Sequence, residues 1–249
     1  MRLAKTIVLT SALITLFATL TDAGTIISEH VTGGYLDLPW TYGFATPNTM
    51  YGKTLDPSDP AYANPSGDHT VAVAQNASPD SGGICVTVTD PGAIGPDYAW
   101  EGWFFTGDGS TRRGLIVRAT PANNFESFYQ LVIESGLFQI RFRKLINGAP
   151  TTLATWYATA LPAGSVPVNT WHKMKVVGTG SEFRCYVDDF ELTTTPIVDS
   201  DIAAGWPGCY NFRFDLGNVP VYFDDLTLDA DVATPAHFKS WGGLKARFK

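Results

Sequence analysis

From residue 84 onward, apolar and polar residues alternate with a period of two in one short run after another. Runs at 84–89, 98–106, 114–119, 125–134, 137–146, 151–157, 171–177, 183–190, 208–214 and 219–228 have the pattern of half-buried strands. Turn chemistry separates them, as at Glu134-Ser135-Gly136, Asn147-Gly148 and Gly178-Thr179-Gly180, so hairpins are the natural connection. No helical period of useful length interrupts the series, which predicts an antiparallel sandwich or barrel. The stretch 35–81 is dense in Pro, Gly, Asn and Asp around Asp56-Pro57-Ser58-Asp59-Pro60 and reads as long loops around short strands.

Alternation also sorts side chains by face. In 137–144, Phe138, Ile140 and Phe142 point one way and Gln139, Arg141 and Arg143 the other. The same rule sets Arg118 opposite Leu115 and Val117, and Arg213 with Asn211 opposite Tyr210 and Phe212. Cationic side chains beside aromatics on one sheet suit sugars: rings stack on apolar sugar faces, and Arg forks bond hydroxyls or carboxylates in pairs. Arg118, Arg141, Arg143, Tyr210 and Arg213 are therefore the candidate ligand-binding residues. The alternative is cross-strand pairing of these Arg residues with acids such as Glu101 and Glu134.

The N-terminus changes the picture of location. Arg2 and Lys5 precede an uncharged stretch from Thr6 to Thr21, followed by Ala23 and Gly24, the pattern of a signal peptide over 1–23. Its apolar part is shorter than the roughly 20 residues that span a bilayer, so a secreted or cell-surface protein, or a periplasmic one, is expected, without a transmembrane span. With 24 acids against 17 Lys and Arg, the net charge is −7, which disfavours nucleic acid as a partner. Charged residues at 16%, with 24 Gly and 16 Pro, fit one turn-rich domain over 24–231. Cys85, Cys185 and Cys209 have no C-x-x-C spacing for zinc. They are either three buried thiols, or a Cys185–Cys209 disulfide with Cys85 free.

Two segments carry a family resemblance. Asn169 to Gly178, then Phe183-Arg184-Cys185-Tyr186-Val187-Asp188-Asp189, is similar to the "W-x-x-hydrophobic-x-V-x-x-G … hydrophobic-x-V-D-G" hairpin of laminin-G-like and related concanavalin-like domains. Ala204 to Tyr210, with Val221-Tyr222-Phe223-Asp224-Asp225-Leu226, resembles their closing strands. The resemblance covers about residues 84–230 and implies an all-β, antiparallel jelly-roll sandwich of the concanavalin type. These motifs are structural and leave function open. Asp189 stands where such domains have a turn Gly, and Asp tolerates the left-handed conformation.

That superfamily holds glycosidases, lyases and lectins, so catalysis has to be weighed. Retaining glycosidases need paired carboxylates about 5 Å apart, commonly from an E-x-D-x-x-E strand, and the chain has no such run. Alginate-lyase-like enzymes use an Arg-rich strand, a Q-[IV]-H strand and a late Tyr strand. Arg113-Gly114-Leu115-Ile116-Val117-Arg118, Gln139-Ile140-Arg141 and Gly208-Cys209-Tyr210-Asn211 echo all three, but Arg141 replaces the His, and Arg is no base at neutral pH. No spacing joins His30, His69, His172 or His237 to a Ser in a nucleophile turn. A structural calcium ion is an expectation for such sandwiches, with Asp37, Asp224 and Asp225 as candidate ligands.

After the linker-like 232–236, a basic tail places Trp241, Leu244 and Phe248 at helical spacing among Lys239, Lys245, Arg247 and Lys249, suited to docking on an anionic surface or partner. The reading that results is a secreted, lectin-like, carbohydrate-binding or matrix protein with no catalytic residues. A polysaccharide lyase on acidic glycans and a purely structural or adhesion domain are the alternatives.

Overall fold

The computed structural model describes residues 24–43, 48–76, 81–87, 94–107, 111–134, 138–213 and 220–230. The expected signal peptide and basic tail lie outside them. Among the described residues the chain forms two antiparallel sheets packed as a sandwich. The first sheet runs β13 (Phe190–Glu191), β12 (Glu182–Val187), β11 (His172–Thr179), β6 (Tyr98–Thr106), β16 (Val221–Ala230), β4 (Thr70–Asn76) and β3 (Asn48–Thr54). At its margins β1 (Gly24–Glu29) pairs with β16, and β14 (Ile197–Val198) with β12. The second runs β10 (Ala149–Tyr157), β9 (Gln139–Ile146), β8 (Ser127–Glu134), β7 (Thr111–Thr120), β15 (Trp206–Arg213), β5 (Ser81–Thr87) and β2 (Trp40–Gly43).

The alternation seen in the sequence drives the packing. In β11, His172, Met174, Val176 and Gly178 are buried while Lys173, Lys175 and Val177 are not, a strict period of two. The inward set meets Ile140 and Phe142 of β9 and Leu115 and Val117 of β7 in one core. Phe183 of the first sheet lies 5.1 Å from Phe142 and 4.6 Å from Tyr129 of the second, ring centre to ring centre. Each such buried ring contributes about 2–3 kcal/mol. The Trp100 indole adds a polar tie, donating across the sandwich to the Gly208 carbonyl at 3.0 Å. The β9–β10 hairpin turns through Asn147 and Gly148, both at positive φ, and Asp188 and Asp189 take the left-handed conformation at the β12–β13 turn.

Two expectations, those for Phe138 and Arg118, are corrected. The stretch 35–81 has the expected form of short strands, β2, β3 and β4, joined by loops such as 55–69, and its β4 is a fully buried run, Thr70-Val71-Ala72-Val73-Ala74, without visible alternation. Phe138 does not join the core; it precedes β9 in a left-handed turn and is 67% exposed. Arg118 is not on the outer face with Arg141 and Arg143. A register shift between Val117 and Thr120, with Arg118 at φ 55, turns that side chain into the molecule, where it is 2% exposed. Of the two alternatives for the cysteines, three buried free thiols are found; the register partner of Cys209 is Cys85, while Cys185 belongs to the opposite sheet.

Candidate functional site

One face of the second sheet points away from the core, and three rows of register partners cross it. The central row is Ile84, Tyr210, Gly114, Val132, Arg141 and Thr155. To one side lie Val86, Gly208, Ile116, Gln130, Arg143 and Thr152; to the other, Phe212, Arg112, Glu134, Gln139 and Tyr157. Neighbouring residues of a row are a strand spacing apart, about 4.8 Å.

The face is apolar toward one end. Ile84, Val86, Ile116, Phe128, Val132 and Leu145 are buried there, with Phe125 and Trp206 packed on them edge to face. The turn 121–126 brings Phe125 across the face to β2, so close that a Cβ on Gly43 would lie 2.7 Å from the Phe125 Cβ. Asn123, Asn124 and Phe125 all take positive φ to make that path.

The other end is polar and cationic. Glu134 is buried and receives Arg112 Nε at 2.7 Å and Arg141 Nη1 at 3.4 Å. Arg141 also donates to the Gln139 side chain from Nε and Nη2. Arg143 is half-buried, and no hydrogen bond or ion pair to it forms among the described residues. Burial pushes its guanidinium below the ordinary arginine range, with Tyr210 and Glu134 opposing and Arg112 and Arg141 adding to the effect. Tyr210 is 4% exposed; burial pushes its phenol up to about 12 against the pull of Arg112 and Arg143. Gly114, the register partner of Tyr210 and Val132, adds no side chain between them.

Of the five residues expected to bind ligand, Arg141, Arg143 and Tyr210 share this face. Arg118 lies in the core, where it donates to the carbonyls of Ile202, Pro96 and Gly180 at 3.0, 3.1 and 2.7 Å and stacks 4.4 Å above Phe183. Arg213 ends β15 opposite Ser81 and Thr111; its side chain is outside the described positions. Arg112, Gln130 and Tyr157 were not anticipated. Alternation alone would have found Arg112 and Gln130, since they share parity with Gly114 and Val132; Tyr157 follows from its partner Gln139.

The expected calcium ligands are apart. Asp37 accepts the Thr32 N–H and hydroxyl, Asp224 is bonded by Asn64 and Ser66, and Asp225 meets His30 at 3.2 Å. Among the described residues no three His, Cys, Asp or Glu side chains gather to hold a metal. Burial raises the Asp224 carboxyl above its ordinary range, with Ser66 opposing.

Ser28 bonds His30 Nε2, and His30 Nδ1 bonds Asp225, a Ser–His–Asp order that sequence spacing could not show, because Asp225 is 195 residues from His30. Ser28 sits within strand β1 beside Thr227, not on a sharp turn, and the His30 side chain is 56% exposed. A nucleophile needs a turn that presents it and a water-excluded oxyanion site, so the chain of bonds is read as a surface network. His172 is fixed between Asp188 and the Pro167 carbonyl beneath β11.

No family model matches the chain, and no curated protein is similar to it. Among solved structures it is similar to the carbohydrate-binding module CBM66 from Bacillus subtilis, at TM-score 0.51 and 19% identity over 63% of this chain and 86% of that one. It is also similar to a protein of unknown function with a galectin-like fold from Bacillus subtilis, at TM-score 0.55 and 10% identity over 84% and 97%. A third is the binding domain of botulinum neurotoxin serotype G, at TM-score 0.51 and 11% identity over 83% and 48%. At these identities the likeness is one of fold: an all-β sandwich of the carbohydrate-binding-module and galectin-like kind.

Proposed function

We propose that this chain is a secreted carbohydrate-binding protein that acts without catalysis, through the outer face of the second sheet. The observation that carries the reading is the convergence of Arg141, Arg143, Gln130, Gln139 and Tyr210 on one face beside the exposed Tyr157. Guanidinium and amide groups supply directed bonds to sugar hydroxyls, and an exposed ring supplies a stacking platform. The sandwich-type neighbours, one of them a carbohydrate-binding module, agree with it. Affinity electrophoresis on alginate, pectin, glucan and chitin tests it: retardation that Arg141→Ala and Tyr157→Ala weaken supports the reading, and absence of retardation on every glycan overturns it.

A lyase on acidic glycans is the second reading, because Gln139, Arg141 and Tyr210 share this face, the residue types such an enzyme uses. A phenol held up near 12 and an Arg where a base is required both oppose proton abstraction at neutral pH. Ultraviolet-absorbing unsaturated uronate in the same incubations would establish the lyase; unchanged glycan excludes it.

A further inference from the structure

This inference rests on the glycan-binding reading and names the class of glycan. Among the described residues the polar end of the face carries three guanidinium groups, Arg112, Arg141 and Arg143, and one carboxylate, Glu134, which Arg112 and Arg141 already share. Arg143 is left over: its Nε is enclosed with no partner, and so is Oε1 of its register neighbour Gln130. A guanidinium drawn out of water beside two like charges is costly unless an anion meets it. The chain as a whole carries net charge −7, so this cluster runs against the prevailing sign. Tyr157, 59% exposed and opposite Gln139, flanks the cluster with a ring open to a sugar.

We propose that the face takes an anionic glycan, with Arg143 and Arg141 receiving the carboxylate or sulfate of one sugar while a neighbouring sugar of the chain lies against Tyr157. A bidentate guanidinium contact to that group supplies the missing counter-charge. Neutral glucans would leave Arg143 without its partner and bind far more weakly.

The test uses the expressed full chain and matched polymers that differ only in charge: polygalacturonate against its methyl ester, and dextran sulfate against dextran. Binding is measured by titration calorimetry at two salt concentrations for the parent, Arg143→Gln, Arg143→Lys and Lys175→Gln. Lys175 pairs with Glu101 on the opposite sheet and controls for loss of one positive charge. The expected result is salt-sensitive binding to the charged member of a pair only, weakened at least about tenfold by Arg143→Gln, partly kept by Arg143→Lys and unchanged by Lys175→Gln. Preference for polygalacturonate identifies a carboxylate ligand, and preference for dextran sulfate a sulfate. Equal binding to charged and neutral partners overturns the anionic class while leaving glycan binding standing. Charged-polymer binding that Arg143→Gln leaves intact, or that Lys175→Gln weakens equally, overturns the assignment to this face. No binding to any member overturns both readings. Thermal melts of each variant show that the fold is retained, as expected for a side chain with no bond to lose.

Discussion

Cys85 and Cys209 are register partners on adjacent antiparallel strands, β5 and β15, both buried in the core between the sheets, while Cys185 sits in the opposite sheet. Burial pushes all three thiols well above their ordinary range. Reactivity requires a thiolate and access. An aromatic disulfide reagent at mildly alkaline pH is therefore expected to label no cysteine in the native protein and all three in denaturant. Under an oxidising low-molecular-weight disulfide, peptide mapping should find any bridge between Cys85 and Cys209. A Cys185–Cys209 peptide would refute the register.

Arg118 ties three separate segments together through the carbonyls of Pro96, Gly180 and Ile202. Truncation leaves those acceptors unpaired and a cavity beside Phe183 and Tyr98. Arg118→Ala is expected to cost about 3–5 kcal/mol in urea unfolding. Glycan affinity of the folded fraction should not change, since the side chain lies on the core side of the sheet. A loss of affinity with unchanged stability would contradict this placement.

Asp199 gives the fold an acid sensitivity of definite sign. Burial alone would raise its carboxyl, but bonds from Lys144 and Tyr129 outweigh that and hold it below the ordinary range. With a folded value below the unfolded one, its stabilisation is full above about pH 4 and is lost as pH falls through the folded value. Asp199→Asn should lower the urea midpoint at pH 7. The gap to the parent should narrow as pH falls below about 4. A gap constant with pH would sink the argument.

Gly114 lies under the candidate site, and a Cβ there would stand 1.9 Å from the Leu131 carbonyl oxygen of the neighbouring strand. Backbone cannot swing aside as a side-chain tip can. Gly114→Ala should therefore part β7 from β8, costing about 2–3 kcal/mol and weakening glycan binding with it. Gly67, where a Cβ would meet nothing within 4 Å but φ is +72, is the contrast: Gly67→Ala should cost only about 1 kcal/mol and leave binding intact.

Much of the second half of the chain was legible because its strands are half-buried. The period-two runs at 98–106, 137–146 and 171–177 match β6, β9 and β11 to within two residues at each end, since water on one side and core on the other write the face into the sequence. The strand β4 was hidden for the opposite reason. With Val71, Ala72, Val73 and Ala74 all buried, both faces are apolar and no alternation remains to be read. At Arg118 alternation was present but misleading, because a bulge shifts parity by one and nothing local announces it.

The sequence by itself determined the all-β architecture, most strand positions, and the outward setting of Arg141 and Arg143, because these follow from local periodicity. Only the tertiary structure decided that Arg118 belongs to the core, that Cys209 faces Cys85, and that Glu134 is spent on Arg112 and Arg141 while Arg143 has no such partner among the described residues. Those outcomes depend on which strands become neighbours and in what register. Pairing between residues far apart in the chain is set by the closure of the whole sandwich, and no single strand encodes it.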